Sequence, residues 1–153
     1  MNGVTLAAAG EADLPELAAL LDALFAIEQD FHPDPEKQRR GLCALLASPT
    51  AHIAIARDDE ARVIGMATAQ LVISTAEGAA SAWIEDVVVR DGWRGRGVGR
   101  ALLDTVLAWA RSQGAVRAQL LADLDNAPAL AFYDHVGWQP TRLGAWRKQI
   151  GAS

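Results

Sequence analysis

The run Val89-Arg90-Asp91-Gly92-Trp93-Arg94-Gly95-Arg96-Gly97-Val98-Gly99-Arg100 holds the densest chemistry in this 153-residue sequence. Glycines let the main chain approach a ligand closely, and the unpaired N–H groups of a following helix point, with its macrodipole, at an anion. A pyrophosphate suits such a turn. The pattern is not a P-loop, because no Lys-Ser or Lys-Thr follows its last glycine. Nor is it the dinucleotide fingerprint, because Arg100 stands where a third glycine is needed and no complete doubly wound set of βαβ units follows. A nucleotide-dependent oxidoreductase is disfavoured on that ground. Upstream lie two adjacent carboxylates, Glu85 and Asp86, and downstream lies Tyr133, the only tyrosine. A carboxylate can take a proton and a phenol can give one, if each is held within hydrogen-bond reach. His32, His52 and His135 show no short metal-ligand spacing, so no metal site is expected. Cys43 has no partner for a disulfide and, in an apolar helical stretch, is expected to be a small core residue.

The elements that must position these residues follow from hydrophobic periodicity. A short strand is expected over Val4 to Ala8. Asp13 then reads as an N-cap with Glu16 three residues later, and Leu14, Leu17, Leu20, Leu21, Leu24 and Phe25 recur at helical spacing, giving a helix over Leu14 to Glu28. Gln29 to Pro35, with two prolines, breaks it, and a second helix covers Glu36 to Ala47. From His52 the period becomes two: a strand over His52 to Ala56, a polar Asp58-Asp59-Glu60 turn, and a strand over Val63 to Ser74 form a hairpin. Ser81 to Val89 is a near-continuous apolar strand buried on both faces. After the turn, Val98, Leu102, Leu103, Val106, Leu107 and Ala110 share one helical stripe that ends at Gln113-Gly114. Val116 to Ala122 is the next strand, and strand, turn, helix, strand requires a parallel pair with a right-handed crossover. Pro128 opens a short helix to His135, with Ala129, Phe132 and Val136 as its buried stripe, and Ala145 to Ile150 is a last strand. The class is α/β with a mixed sheet, in one domain spanning 1–153, a length near the mode for single domains.

Arg94, Gly97 and Gly99 fill the pattern Arg-x-x-Gly-x-Gly, which resembles the acetyl-CoA signature of the GCN5-related N-acetyltransferases. Glu85-Asp86-Val87-Val88-Val89 resembles that family's central strand, and Asn126, Ala129, Phe132 and Tyr133 resemble its second motif. The resemblance follows element order over nearly the whole chain and is close from Trp83 to Tyr133. Motif spacing is most similar to the spermidine/spermine-type acetyltransferases, without carrying over their substrate. It implies an acyl-CoA N-acyltransferase fold: a mixed, mostly antiparallel sheet with a central parallel strand pair, flanked by helices. It implies that the main chain of Val87, Val88 and Val89 holds the pantetheine arm and supplies the oxyanion donor. The pyrophosphate falls to Arg94, Gly95, Arg96, Gly97, Val98, Gly99 and Arg100, and Asn126 carries over as a further cofactor-binding residue. The implied activity is transfer of an acetyl group from acetyl-CoA to a primary amine by direct attack in a ternary complex, with no metal.

That chemistry assigns tasks to side chains. A lysine-like amine, with a pKa of about 10.4, must lose a proton before attack. Glu85 is the candidate acceptor, the alternative being a solvated surface carboxylate beside Asp86. The departing thiolate takes a proton most readily from a positioned donor, and Tyr133 lies about 100° round its helix from Phe132, which directs it along the groove. Its alternative is an edge-of-core aromatic. Asn126 has its own, an N-cap before Pro128. Trp93 reads as a packing residue.

The formal net charge of −5 excludes the basic footprint that nucleic acid requires and suits a cationic amine. In the family the first two helices and their connection form one wall of the acceptor site. Here that segment carries Glu28, Asp30, Phe31, His32, Asp34 and Glu36, with Lys37, Arg39 and Arg40 placed to neutralise part of the acidity. No apolar run approaches the roughly 18 residues of a membrane span, and Met1-Asn2-Gly3 lacks the layout of a signal peptide, so a cytoplasmic protein is expected. The strand Ala145 to Ile150 would offer an edge for homodimer pairing. The rival from another class is a non-catalytic acyl-CoA-binding regulatory module, which would keep the turn and need neither Tyr133 nor Glu85.

Overall fold

The computed structural model describes residues 2–28 and 30–152. It divides into two compact units, Met1–Leu120 and Leu121–Ser153. In the first, β1 (Thr5–Ala8), α1 (Leu14–Ile27), α2 (Pro35–Ala47), β2 (Ala51–Arg57), β3 (Val63–Ser74), β4 (Ala79–Val89), α3 (Val98–Ser112) and β5 (Ala115–Leu120) follow one another. The strands lie in the order β1-β2-β3-β4-β5, antiparallel except for the parallel pair β4–β5. This is the expected mixed α/β sheet. Gln29, the first residue of the expected helix break, lies outside the described residues.

Each face of the sheet is covered because each helix has one apolar stripe to bury. Leu17, Leu20 and Leu21 of α1 and Leu42 of α2 pack with Ile53, Ile55, Val63, Met66 and Val88. On α3 the buried residues are Val98, Leu102, Leu103, Val106 and Ala110, the stripe read from the sequence. Gly65 explains how closely α3 sits: a Cβ there would lie 2.9 Å from Leu102 Cδ1 and 3.2 Å from the Val88 oxygen. Even a methyl group on Gly65 would force the Leu102 side chain to shift.

Three local expectations are corrected. Asp13 stands at the N-cap position of α1, but its side chain does not cap the helix. Its Oδ2 accepts from the Gly10 N–H at 2.9 Å, and its Oδ1 pairs with Arg57 at 2.6 Å. Glu16 reaches β3 instead of back to the cap, its Oε2 accepting from the buried Val63 N–H at 2.7 Å. A distant partner outcompetes the local one because it satisfies a donor that would otherwise be stranded in the core. Glu16→Ala should therefore cost about 1–3 kcal/mol, read as a lower urea midpoint at unchanged slope.

The second correction is Cys43, which is exposed. The buried face of α2 runs through Gln38 and Leu42, and Cys43 lies a third of a turn away. Gln38 is the surprise on that face. Its Nε2 donates to the Ala18 oxygen at 3.2 Å and to Asp22 Oδ1 at 2.8 Å, while its Oε1 accepts from the Asp34 N–H at 2.7 Å, so α2 is locked to α1.

In the second unit α4 (Ala127–His135) begins with Pro in its first turn, and Gly137, at φ 94°, follows its end. Its expected buried stripe, Ala129, Phe132 and Val136, is only half-buried. Ala145 to Ile150 is not a strand, which is the third correction. Arg147-Lys148-Gln149 interrupt the alternation of period two that one buried face requires, and Trp146 and Ile150 stand 99% and 92% exposed.

Candidate active site

Strand β4 outruns its parallel partner. Pairing with β5 ends at Ile84↔Leu120, whereas β4 continues to Val89. On its other side the register with β3 slips: Met66 faces Val88 and Thr68 faces Glu85, so Asp86 and Val87 together stand opposite Ala67. Two residues against one is a β-bulge, which bends a strand and re-aims its main chain. Asp86 pays for that geometry with φ 52°, the left-handed region.

Within Glu85 to Val89 the side chains divide by environment. Val88 is buried in the core against α1 and α2, so only its main chain can meet a ligand. Val87 and Val89 are half-buried. Glu85 is exposed, and its Oε1 accepts from the Trp83 indole N–H at 2.5 Å. Asp86 is half-buried, with Oδ2 accepting from Thr68 Oγ1 at 3.3 Å. Burial first, then the charge on Glu85, push the Asp86 carboxyl up to about 6, Glu28 adding to the rise and the Thr68 hydroxyl opposing it.

Beyond β4 the chain turns at Gly92, Gly95 and Gly97, all at positive φ, before α3 starts. Gly97, at φ 83°, occupies the N-cap of α3, where no side chain caps the helix and no acidic residue stands in the first turn. The N–H groups and the positive end of the dipole are thus left to an outside anion. Arg94, Gly95, Arg96, Gly97 and Arg100 are exposed around this end, whereas Val98 turns its side chain into the core and offers only its N–H. The arginines are already placed: Arg94 pairs with Asp91 at 3.1 Å and donates from Nε to the Val89 oxygen at 3.2 Å, and the Arg96 guanidinium lies 5.0 Å from the Trp93 ring centre. Trp93 is a packing platform for a cation.

In the second unit Asn126 caps α4, its Oδ1 accepting from the Ala129 N–H at 3.2 Å. Tyr133 is half-buried between aromatic neighbours, 5.3 Å from Phe132 and 6.2 Å from Trp138 by ring centres. On the acceptor wall, Asp34 is engaged as the N-cap of α2, accepting from the Lys37 N–H at 3.2 Å. Phe31 stacks tilted on Phe25 at 5.5 Å. Among the described residues no group of three or more His, Cys, Asp or Glu side chains is arranged to hold a metal, and no helix is long and apolar enough to cross a membrane. His52 stacks instead on Trp109 at 5.0 Å.

Thr68 and Trp83 were not among the candidates, and each touches one. Thr68 is a hydroxyl in an otherwise apolar stretch of strand, Met66-Ala67-Thr68-Ala69, which is the signal that marks it. Trp83, two residues before Glu85, had to share its face by the period of a strand.

Comparison with known proteins agrees with this architecture. A chain from Agrobacterium tumefaciens str. C58, provisionally named an acetyltransferase, is 27% identical and superposes with a TM-score of 0.80 over 95% of this chain and 99% of its own. An aminoglycoside acetyltransferase from an uncultured soil metagenomic sample, solved in complex with sisomicin, is 21% identical with a TM-score of 0.78 over 98% of both chains, a likeness of fold. The mycothiol acetyltransferase of Beutenbergia cavernae is 42% identical over 57 residues, 37% of this chain, and the match spans 19% of that relative's length. The model of the Acetyltransferase (GNAT) family matches residues 17–138. With that match running from α1 through the glycine turn to Trp138, the chain belongs to the GNAT acetyltransferase family.

Proposed function

We propose that this acetyltransferase moves an acetyl group from acetyl-CoA to a primary amine by direct attack in a ternary complex. The observation that carries the reading is the uncapped, glycine-led N-terminus of α3, ringed by arginines and placed directly after the part of β4 that has no β5 partner. A pyrophosphate on the N–H groups of Gly95 to Arg100 leaves the pantetheine arm to run along the main chain of Val87, Val88 and Val89, as an added strand runs along an unpaired edge. Arg94, Arg96 and Arg100 supply charge, and the amide of Asn126 supplies a further polar contact beyond its capping role. At the reacting end a main-chain N–H of β4 stabilises the oxyanion, Glu85 engages the charge of the acceptor, and Tyr133 protonates the leaving sulfur. No step calls on a metal.

The acceptor is read as a cation, from the net charge of −5 and the acids of the α1–α2 connection. Motif spacing most similar to the spermidine/spermine type agrees with that class without naming the molecule. The reading treats 1–153 as one cytoplasmic N-acetyltransferase domain, without nucleic-acid or membrane partners. Homodimer pairing loses its proposed edge, since no strand forms at Ala145 to Ile150.

A panel of polyamines, aminoglycosides and basic peptides, screened for thiol release from acetyl-CoA, tests function and substrate class together. Release matched by an acetylated amine is the expected result. Binding of acetyl-CoA with no release for any amine would favour the regulatory-module alternative.

A further inference from the structure

Asp86 is the one non-glycine residue of β4 in left-handed backbone. Aspartate and asparagine tolerate that region better than other side chains. The bulge carries its carboxyl to Thr68, whose hydroxyl lies 3.0 Å from the Glu85 main-chain oxygen and 3.3 Å from Asp86 Oδ2. Thr68 is 1% exposed, so this contact is anchored in the interior. Among the described residues, two acids raise the Asp86 carboxyl by their charge: Glu85 beside it on β4, and Glu28 at the end of α1. A carboxylate in that position gains most when an ammonium arrives.

The neighbouring carboxylate is differently placed. Glu85 is exposed to solvent and its Oε1 is engaged by the Trp83 indole. Such a group can steer a cation, but it sits in water, whereas Asp86 is half-buried. Asp86 holds its proton to about pH 6, which makes it about a hundredfold stronger base than an aspartate at 3.8.

We propose that Asp86, seated at the β4 bulge and tied to Thr68, takes the proton from the acceptor ammonium, while Glu85 orients the incoming cation. The inference rests on the acetyl-transfer reading above. In the first step R–NH3+ and Asp86 carboxylate become R–NH2 and the Asp86 acid. The nitrogen lone pair then forms the C–N bond at the thioester carbonyl, and the adduct loses its second N–H proton to solvent. The oxyanion collapses as the C–S bond breaks, the thiolate takes a proton from Tyr133 that solvent restores, and Asp86 returns its proton to solvent. One proton is released overall.

The test is the pH profile of kcat/KM with an amine accepted in the panel. In the wild type kcat/KM should rise with unit slope to about pH 6 and then stay level towards the amine pKa, since the reacting pair is carboxylate plus ammonium. Asp86→Asn, which suits the left-handed backbone, should lower kcat by about 10²- to 10⁴-fold at pH 7 with acetyl-CoA affinity kept, and its profile should climb without a break into the alkaline range, following free amine. Glu85→Gln removes a neighbouring negative charge, so the break should move to lower pH while the amine KM rises. Thr68→Val removes a donor to the carboxylate, so the break should move to higher pH. A break that survives in Asp86→Asn at wild-type kcat overturns the proposal, and a break lost only in Glu85→Gln assigns the proton to Glu85. Wild-type protein that binds acetyl-CoA yet acetylates no amine overturns the catalytic reading itself, and is seen before any variant is made.

Discussion

Calorimetry of the Gly97→Asp and Gly99→Glu proteins with acetyl-CoA should show no binding, while both remain folded. The two requirements separate because the same charge acts oppositely on helix and ligand. An acid in the first turn of α3 complements the dipole and favours the empty helix by about 0.3–1 kcal/mol. Gly97→Asp sets against that gain the strain of an aspartate at φ 83°, roughly 1–2 kcal/mol. Against a pyrophosphate the added carboxylate occupies the space and repels. At about 4 Å near a protein surface, like charges interact by about 4 kcal/mol, close to three decades of affinity. Gly99→Glu is the sharper of the two, since Gly99 lies within the helix and carries no left-handed strain. Equal or greater thermal stability together with lost binding is the expected signature of Gly99→Glu, and lost binding with slightly lowered stability that of Gly97→Asp. Folded variants with unchanged affinity would move the cofactor off this turn.

Tyr133→Phe should keep the fold and the acetyl-CoA affinity and slow acetyl transfer by about 10²- to 10⁴-fold in single-turnover measurements. Phenylalanine retains the ring, hence the contacts with Phe132 and Trp138, so the packing of α4 is preserved and only the hydroxyl is removed. The size of the effect depends on how much the sulfur needs help. A thiolate of pKa near 8.5 leaves tolerably unaided at pH 7, and a general acid matters most where collapse of the adduct limits the rate. If the variant matches the wild type in a single turnover, Tyr133 is a packing residue and solvent protonates the thiolate.

What the sequence disclosed and what it concealed divide by the range of the interactions. The stripe of α3, the apolar run of β4 and the parallel pair around them rest on periodicity, which a helix and a strand each express within a dozen residues. The glycine turn was legible for the same reason, as Gly95 and Gly97 announce their positive φ by type. The cap of α1 was not legible, because Asp13 finds Arg57 and Glu16 finds Val63, partners 44 and 47 residues away. The exposure of Cys43 and the burial of Gln38 were not legible, because composition around a helix does not fix which face meets its neighbour. Asp86 looked like the lesser half of an acidic pair. Its environment comes from a register slip between strands, which no local pattern encodes.

The strand order has a kinetic consequence. Every pair of neighbours in the sheet is also consecutive in sequence, and β2, β3 and β4 form a meander closed by short connections. No strand has to be inserted between two others already joined, so the sheet can grow outward from the meander, with β1 added by an antiparallel return across α1 and α2. β5 is different. Its pairing with β4 waits on a crossover that includes the whole of α3, the most costly closure on that side. The strand whose early end exposes residues 85–89 is therefore expected to join after the meander and to open before it in native-state hydrogen exchange, which places the proposed cofactor groove at a less cooperative margin than the meander.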